Sequence, residues 1–212
     1  MSLGRIVAWV GLVLGVAILL LQFWLAVSLR LSSGDNLLGA LWYFFTFFTI
    51  LTNGLVVLVY LSDLTPGAWL DWWRRPTTRA MVWGAITVVG VFYHVLLAGL
   101  WSPTGWSLLA NNVLHYVAPT IYVVWWLAFQ PHGSLSFRDI PAMTIYPFAY
   151  LAWAMLRGAI VGEYPYPILE ANTLGYGQVA INCLIMVALF VAVFAIAVGL
   201  DKLLGRRQSA SA

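Results

Sequence analysis

Six apolar stretches, each about twenty residues or longer, divide this chain, and the charged side chains fall almost wholly at their ends or between them. They run Ile6–Ser28, Leu37–Leu61, Arg79–Leu100, Leu108–Phe129, Pro141–Ile160 and Tyr176–Leu200. A helix crosses the hydrocarbon core of a bilayer with about 20 such residues, so each stretch predicts one span. Turn-forming residues punctuate the gaps: Ser32-Ser33-Gly34-Asp35, Thr65-Pro66-Gly67, Ser102-Pro103-Thr104-Gly105, Pro131-His132-Gly133-Ser134 and Pro165-Tyr166-Pro167. Only 8% of the 212 residues are charged, against about 25% in a soluble domain, so hydrocarbon must face most of the surface. The expected fold is an all-α membrane protein: a six-transmembrane-helix bundle, one domain over 1–205, with a short tail over 206–212. The end from Gln208 to Ala212 reads as frayed. The first stretch outlasts a signal-peptide core and lacks a small-residue cleavage site, so it reads as a retained helix.

Basic residues set the expected orientation. Arg5, Arg74, Arg75, Arg79, Arg138, Lys202, Arg206 and Arg207 fall on one side, whereas Arg30 and Arg157 fall on the other with Glu163 and Glu170. The excess marks the cytoplasmic side, which predicts cytoplasmic N- and C-termini and a multi-pass protein of the cell inner (plasma) membrane. Trp69, Trp72, Trp73, Trp101 and Trp106 flank the spans as interfacial anchors do. Ten basic against seven acidic residues, well dispersed, give no footprint for nucleic acid, so membrane lipids are the expected partners. A lone cysteine, Cys183, excludes an internal disulfide and any cysteine-based metal cluster. The oligomeric state stays open.

With that orientation, Gln22, Thr46, His94, His115, Arg157 and Asn182 each lie on a different span, within about 5–14 Å of the outer boundary. The inner half is poorer, and from Cys183 to Leu200 the last span has no strongly polar side chain. Intramembrane polar groups are costly and normally face the interior or a wet cavity, so a pocket in the outer half is expected. Helix-to-helix hydrogen bonding remains the plainer alternative. Thr46, Thr49 and Asn53 recur at i, i+3 and i+7 and share one helical face. Asn111, Asn112 and His115 fall within one turn, followed by Pro119. Its missing N–H leaves the carbonyl of His115 unserved, and its ring kinks the helix.

A neutral imidazole can take the proton of a nearby hydroxyl and turn it into a nucleophile. Thr46 and His115 descend to similar depth and make the expected pair, with Asn112 or Arg157 as donors to an oxyanion. Thr49, Asn53, His94, Asn111, Asn182 and Gln22 are the expected pocket lining. Spacing alone is a weak signal, because a membrane threonine usually satisfies itself on its i−4 carbonyl. His132, on an inner connection, reads as solvated. The connection from Val161 to Gly175 exceeds the usual loop length, as a lid or as surface packing. His94 and His115 form the one histidine pair suited to haem, without an attachment motif, and a zinc ion would be short of ligands. No cofactor or metal is expected. A small-molecule or lipid transporter or binding protein stays open as an alternative, although no span interior carries Asp or Glu and no matched pair of broken helices appears.

Phe44-Phe45-Thr46-Phe47, Asn111-Asn112-Val113-Leu114-His115 and Tyr166-Pro167-Ile168-Leu169-Glu170 resemble motifs of the androgen-induced family of membrane hydrolases. The chain resembles more closely that family's prokaryotic six-helix branch, over most of the range from Trp42 to Asn182. The resemblance implies an intramembrane hydrolase of fatty-acid esters of hydroxy fatty acids, with Thr46 as nucleophile and His115 as base. A lipid acyltransferase using the same pair is the related alternative.

Overall fold

The computed structural model describes residues 1–210, with side chains through Gln208, and every regular element among them is helical. Among the described residues five helices are long and apolar enough to cross a membrane, and a sixth span is present if one bent pair counts as one. The chain forms two compact units, Met1–Pro131 and His132–Ala212.

In the first unit, α1 (Leu3–Ser32) turns through Gly34 (φ 96°) into α2 (Leu37–Phe44), which the Asn36 side chain caps by accepting the N–H of Gly39. Arg30 closes this turn by donating to Asp35 at 2.5 Å. After a break at 45–47 the chain continues as α3 (Phe48–Leu64), bent 73° from α2. The single stretch expected over Leu37–Leu61 is therefore two helices. No glycine or proline marks the break. Aromatic packing accounts for it: Phe44 meets Phe23 edge-on at 5.1 Å, and Tyr43 meets Phe47 at 5.0 Å. Turning the chain there lets Phe44 and Ile50 share a core with Ile18, Ala110, Val113 and Leu114.

Helix α4 (Pro76–Leu97) opens on proline, whose fixed φ suits a first turn, and ends in one π-helical turn, Tyr93–Leu97. Helix α5 (Gly105–Phe129) carries a second π turn, Val113–Val117. At the other end of this unit charged side chains are half-buried, where the sequence suggested a polar-poor half. Arg79 pairs with Asp63 at 3.0 Å and donates to Gln130, and the Tyr122 hydroxyl donates to the Arg79 carbonyl at 3.1 Å. Arg74 grips the end of α3 and the loop after it through the carbonyls of Ser62, Thr65 and Gly67.

In the second unit, Ser136 and Asp139 form a capping box ahead of α6 (Ile140–Val161), which ends on Gly162 in the left-handed region (φ 73°). Helix α7 (Ala171–Ala210) has one non-helical residue, Gly175, so its regular run begins at Tyr176. It stays helical through Ala210, so residues 206–210 are not the separate tail expected; residues 211 and 212 lie outside the described residues. His132 is not solvated. Its Nδ1 pairs with buried Asp201 at 3.2 Å, and the other carboxylate oxygen accepts the N–H of Leu135 at 2.8 Å. Gly133 and Gly205 touch backbone to backbone beside that pair.

Candidate functional site

Thr49, Asn53, Tyr93 and Asn111 gather around His115 and its turn. Its Nδ1 lies 2.9 Å from the Asn111 carbonyl, which can only accept, so Nδ1 carries the proton of the neutral ring. Nε2 is then the acceptor, and it lies 3.3 Å from the Thr49 hydroxyl. A nearly buried hydroxyl thus meets the basic nitrogen of an imidazole whose tautomer the backbone fixes. The phenol ring of Tyr93 stacks on this imidazole, with centroids 3.9 Å apart and planes 20° apart. Asn111 Nδ2 donates to the Tyr93 hydroxyl at 2.5 Å.

Helical departures place these groups. In the π turn of α5 the N–H of Ala118 reaches the Val113 carbonyl, one residue further back than in an α-helix. In that register Pro119 withholds its N–H from Leu114, rather than from His115 as α-helical spacing suggested. Asn53 fills the gap. Its Nδ2 donates to Leu114 O at 3.3 Å and to Thr49 O at 2.8 Å, tying α3 to α5 beside the Thr49–His115 contact. Gly90 of α4 faces the His115 carbonyl so closely that an added Cβ would lie 3.2 Å from it. Pairs of π turns are uncommon, and single ones recur at functional sites.

The break at 45–47 corrects one spacing argument. Thr49 and Asn53 keep their common face on α3, but Thr46 lies in the break, fully buried, with its N–H on the Tyr43 carbonyl at 3.1 Å. The hydroxyl at hydrogen-bond distance from His115 Nε2 is that of Thr49. His94 is exposed, with Nδ1 3.4 Å from the Tyr116 hydroxyl. Asn112 is exposed and Gln22 half-buried.

Arg157 and Asn182 belong to the second unit, where they fasten the connection between α6 and α7. Arg157 is 3% exposed and donates to both the carbonyl and the carboxylate of Glu163, at 2.8 and 2.9 Å. Asn182 Nδ2 donates to the Ile168 carbonyl at 2.8 Å, holding the 3₁₀ turn Pro167–Leu169, and Asn172 reaches Gly162 O at 2.9 Å. Tyr164 lies over Gly158. The connection is thus packed down.

Sequence reasoning missed Tyr93, although its position one residue before His94 put it at the predicted depth. Among the described residues no group of three or more His, Cys, Asp or Glu side chains could hold a metal ion. Comparison with protein-family models, with curated proteins and with solved structures finds no match to this chain.

Proposed function

We propose that this protein is an intramembrane lipid-ester hydrolase in which His115 activates a threonine. The observation that carries the reading is the relay from the Asn111 carbonyl through Nδ1–H and Nε2 of His115 to the Thr49 hydroxyl. Nucleophilic hydrolases on unrelated folds use this logic: an acceptor orients the imidazole, and the imidazole takes the proton of the hydroxyl. The 3.3 Å contact is of a length that tightens when substrate binds.

In the proposed reaction Thr49 Oγ1 attacks the ester carbonyl carbon while its proton passes to Nε2. Asn112, three residues before His115, is the proposed donor to the oxyanion. The tetrahedral intermediate then expels the alkoxide, which leaves as the alcohol with the Nε2 proton. Water, deprotonated by the same nitrogen, attacks the acyl-threonine and releases the acid, and the proton returns to Thr49. The resemblance in sequence assigns the nucleophile to Thr46 instead; the distance to His115 favours Thr49. The setting is a six-span protein of the cell inner (plasma) membrane with both termini in the cytoplasm, a topology supported by the distribution of arginine and lysine.

Two measurements on protein purified in detergent test this. A fluorophosphonate probe followed by peptide mass spectrometry locates the nucleophile, and turnover of a long-chain ester is compared in Thr46→Ala, Thr49→Ala, Thr49→Ser and His115→Ala. An adduct on Thr49 is expected, with Thr49→Ala and His115→Ala equally inactive and Thr49→Ser partly active. An adduct on Thr46 would move the nucleophile by one turn. Parental turnover in His115→Ala would end the hydrolase reading.

A further inference from the structure

We infer that Tyr93 is a positioning residue for His115, its ring face holding the imidazole toward Thr49 and stabilising the charge that forms there. The inference rests on the reading of His115 as a base. Three contacts form a closed frame: Tyr93 stacks on the imidazole at 3.9 Å, the Asn111 side chain donates to the Tyr93 hydroxyl at 2.5 Å, and the Asn111 carbonyl receives Nδ1–H at 2.9 Å. One asparagine therefore ties down both rings, through its side chain on one and its backbone on the other. With one nitrogen bonded and one face covered, the ring cannot rotate away, and its remaining nitrogen meets Thr49.

Tyr93 is itself held. It is 4% exposed, begins the π turn of α4, and meets Tyr116 edge-on at 5.5 Å and Trp101 at 6.2 Å. A ring stacked on a neutral imidazole gains attraction when that imidazole takes a proton, because the negative face of a π system favours a cation. The proton arrives from Thr49 as the nucleophile attacks, so this attraction grows in the transition state and acts on kcat, not on substrate binding.

The test is turnover of a long-chain ester by the full chain in detergent, with Tyr93→Phe, Tyr93→Trp, Tyr93→Leu and His115→Ala compared with the parent. Tyr93→Leu removes the face and is expected to lower kcat about tenfold with KM within about twofold. Tyr93→Phe keeps the face but loses the Asn111 bond, and kcat falls about threefold. Tyr93→Trp retains more activity than Tyr93→Leu. A second readout needs no turnover: in protein carrying ¹³C-labelled histidine, the His115 ring proton shielded by the Tyr93 ring shifts downfield in Tyr93→Leu and stays put in Tyr93→Phe. Parental kcat in Tyr93→Leu while His115→Ala is inactive would overturn this inference alone, as would an unmoved His115 resonance. Parental turnover in His115→Ala would remove the hydrolase reading and this inference with it.

Discussion

The carbonyl of Leu114 gives a sharp test of how the π turn is held. Ala118 N–H has gone to Val113, residue 119 has no N–H to give, and the Asn53 amide, from another helix, donates instead. Replacing Asn53 by leucine keeps the number and branching of heavy atoms, removes that donor, and adds the bulk of two methyl groups at a buried position. An interhelical hydrogen bond in a membrane contributes about 0.6 kcal/mol on average and up to about 1.7. An offset comes from Asn53 Oδ1, which is buried without a partner among the described residues, so leucine also removes an unsatisfied acceptor worth about 1 kcal/mol. The single substitution alone therefore mixes the lost bond, the removed acceptor and the added bulk, and does not isolate the bond. Coupling isolates the bond. Pro119→Ala supplies an N–H that reaches Leu114 in the π register, so it matters more when Asn53 is leucine. The gain in helix propensity from losing proline appears in both backgrounds and cancels in the cycle. The double variant should exceed the sum of the singles by about 1 kcal/mol, or about 2–4 °C in melting temperature. Reversible unfolding of the four proteins in mixed micelles measures it. Additivity within about 0.3 kcal/mol would show that Asn53 is not the substitute donor.

Other substitutions probe the second unit. Gly205→Ala places a Cβ 2.4 Å from Gly133 Cα, a backbone atom with nowhere to move, so the His132–Asp201 pair should be prised apart. A loss of about 3 kcal/mol or more is expected, seen as faster proteolysis at 131–136. Gly158→Ala meets the Tyr164 ring at 2.1 Å, and that ring can swing out, so the cost should be smaller, about 1–3 kcal/mol, with tyrosine fluorescence reporting the movement. Arg157→Ala strands the Glu163 carbonyl and carboxylate, and hydrogen exchange over 162–170 should rise while α6 itself stays protected.

What the sequence could and could not convey follows from the range of the forces involved. The spans are legible because a run of about twenty apolar residues is a local sum that no distant contact reverses. Their irregularities are not, because each is set by partners far along the chain. Phe44 turns the chain against Phe23, and Asn53 completes a carbonyl 61 positions away. Local spacing put Thr49 with Asn53 along one regular helix, and Asn111 beside His115, where the π turn is only beginning. It failed at Thr46 and at the Pro119 orphan, where the helix breaks or slips by one residue. His132 shows the same effect: a turn sequence predicts exposure, and only the fold brings Asp201, 69 positions on, to bury it. These failures are informative about chemistry. A regular α-helix satisfies its own carbonyls and aims side chains at fixed 100° steps, which leaves little freedom to bring a threonine, a histidine and their supports to one point. The bend at 45–47 and the turns at Tyr93–Leu97 and Val113–Val117 each release that constraint on a different span, and the residues they re-aim are Thr49, Tyr93 and His115. Where polar residues are placed at such departures, strict helical periodicity names the right neighbourhood and the wrong neighbour.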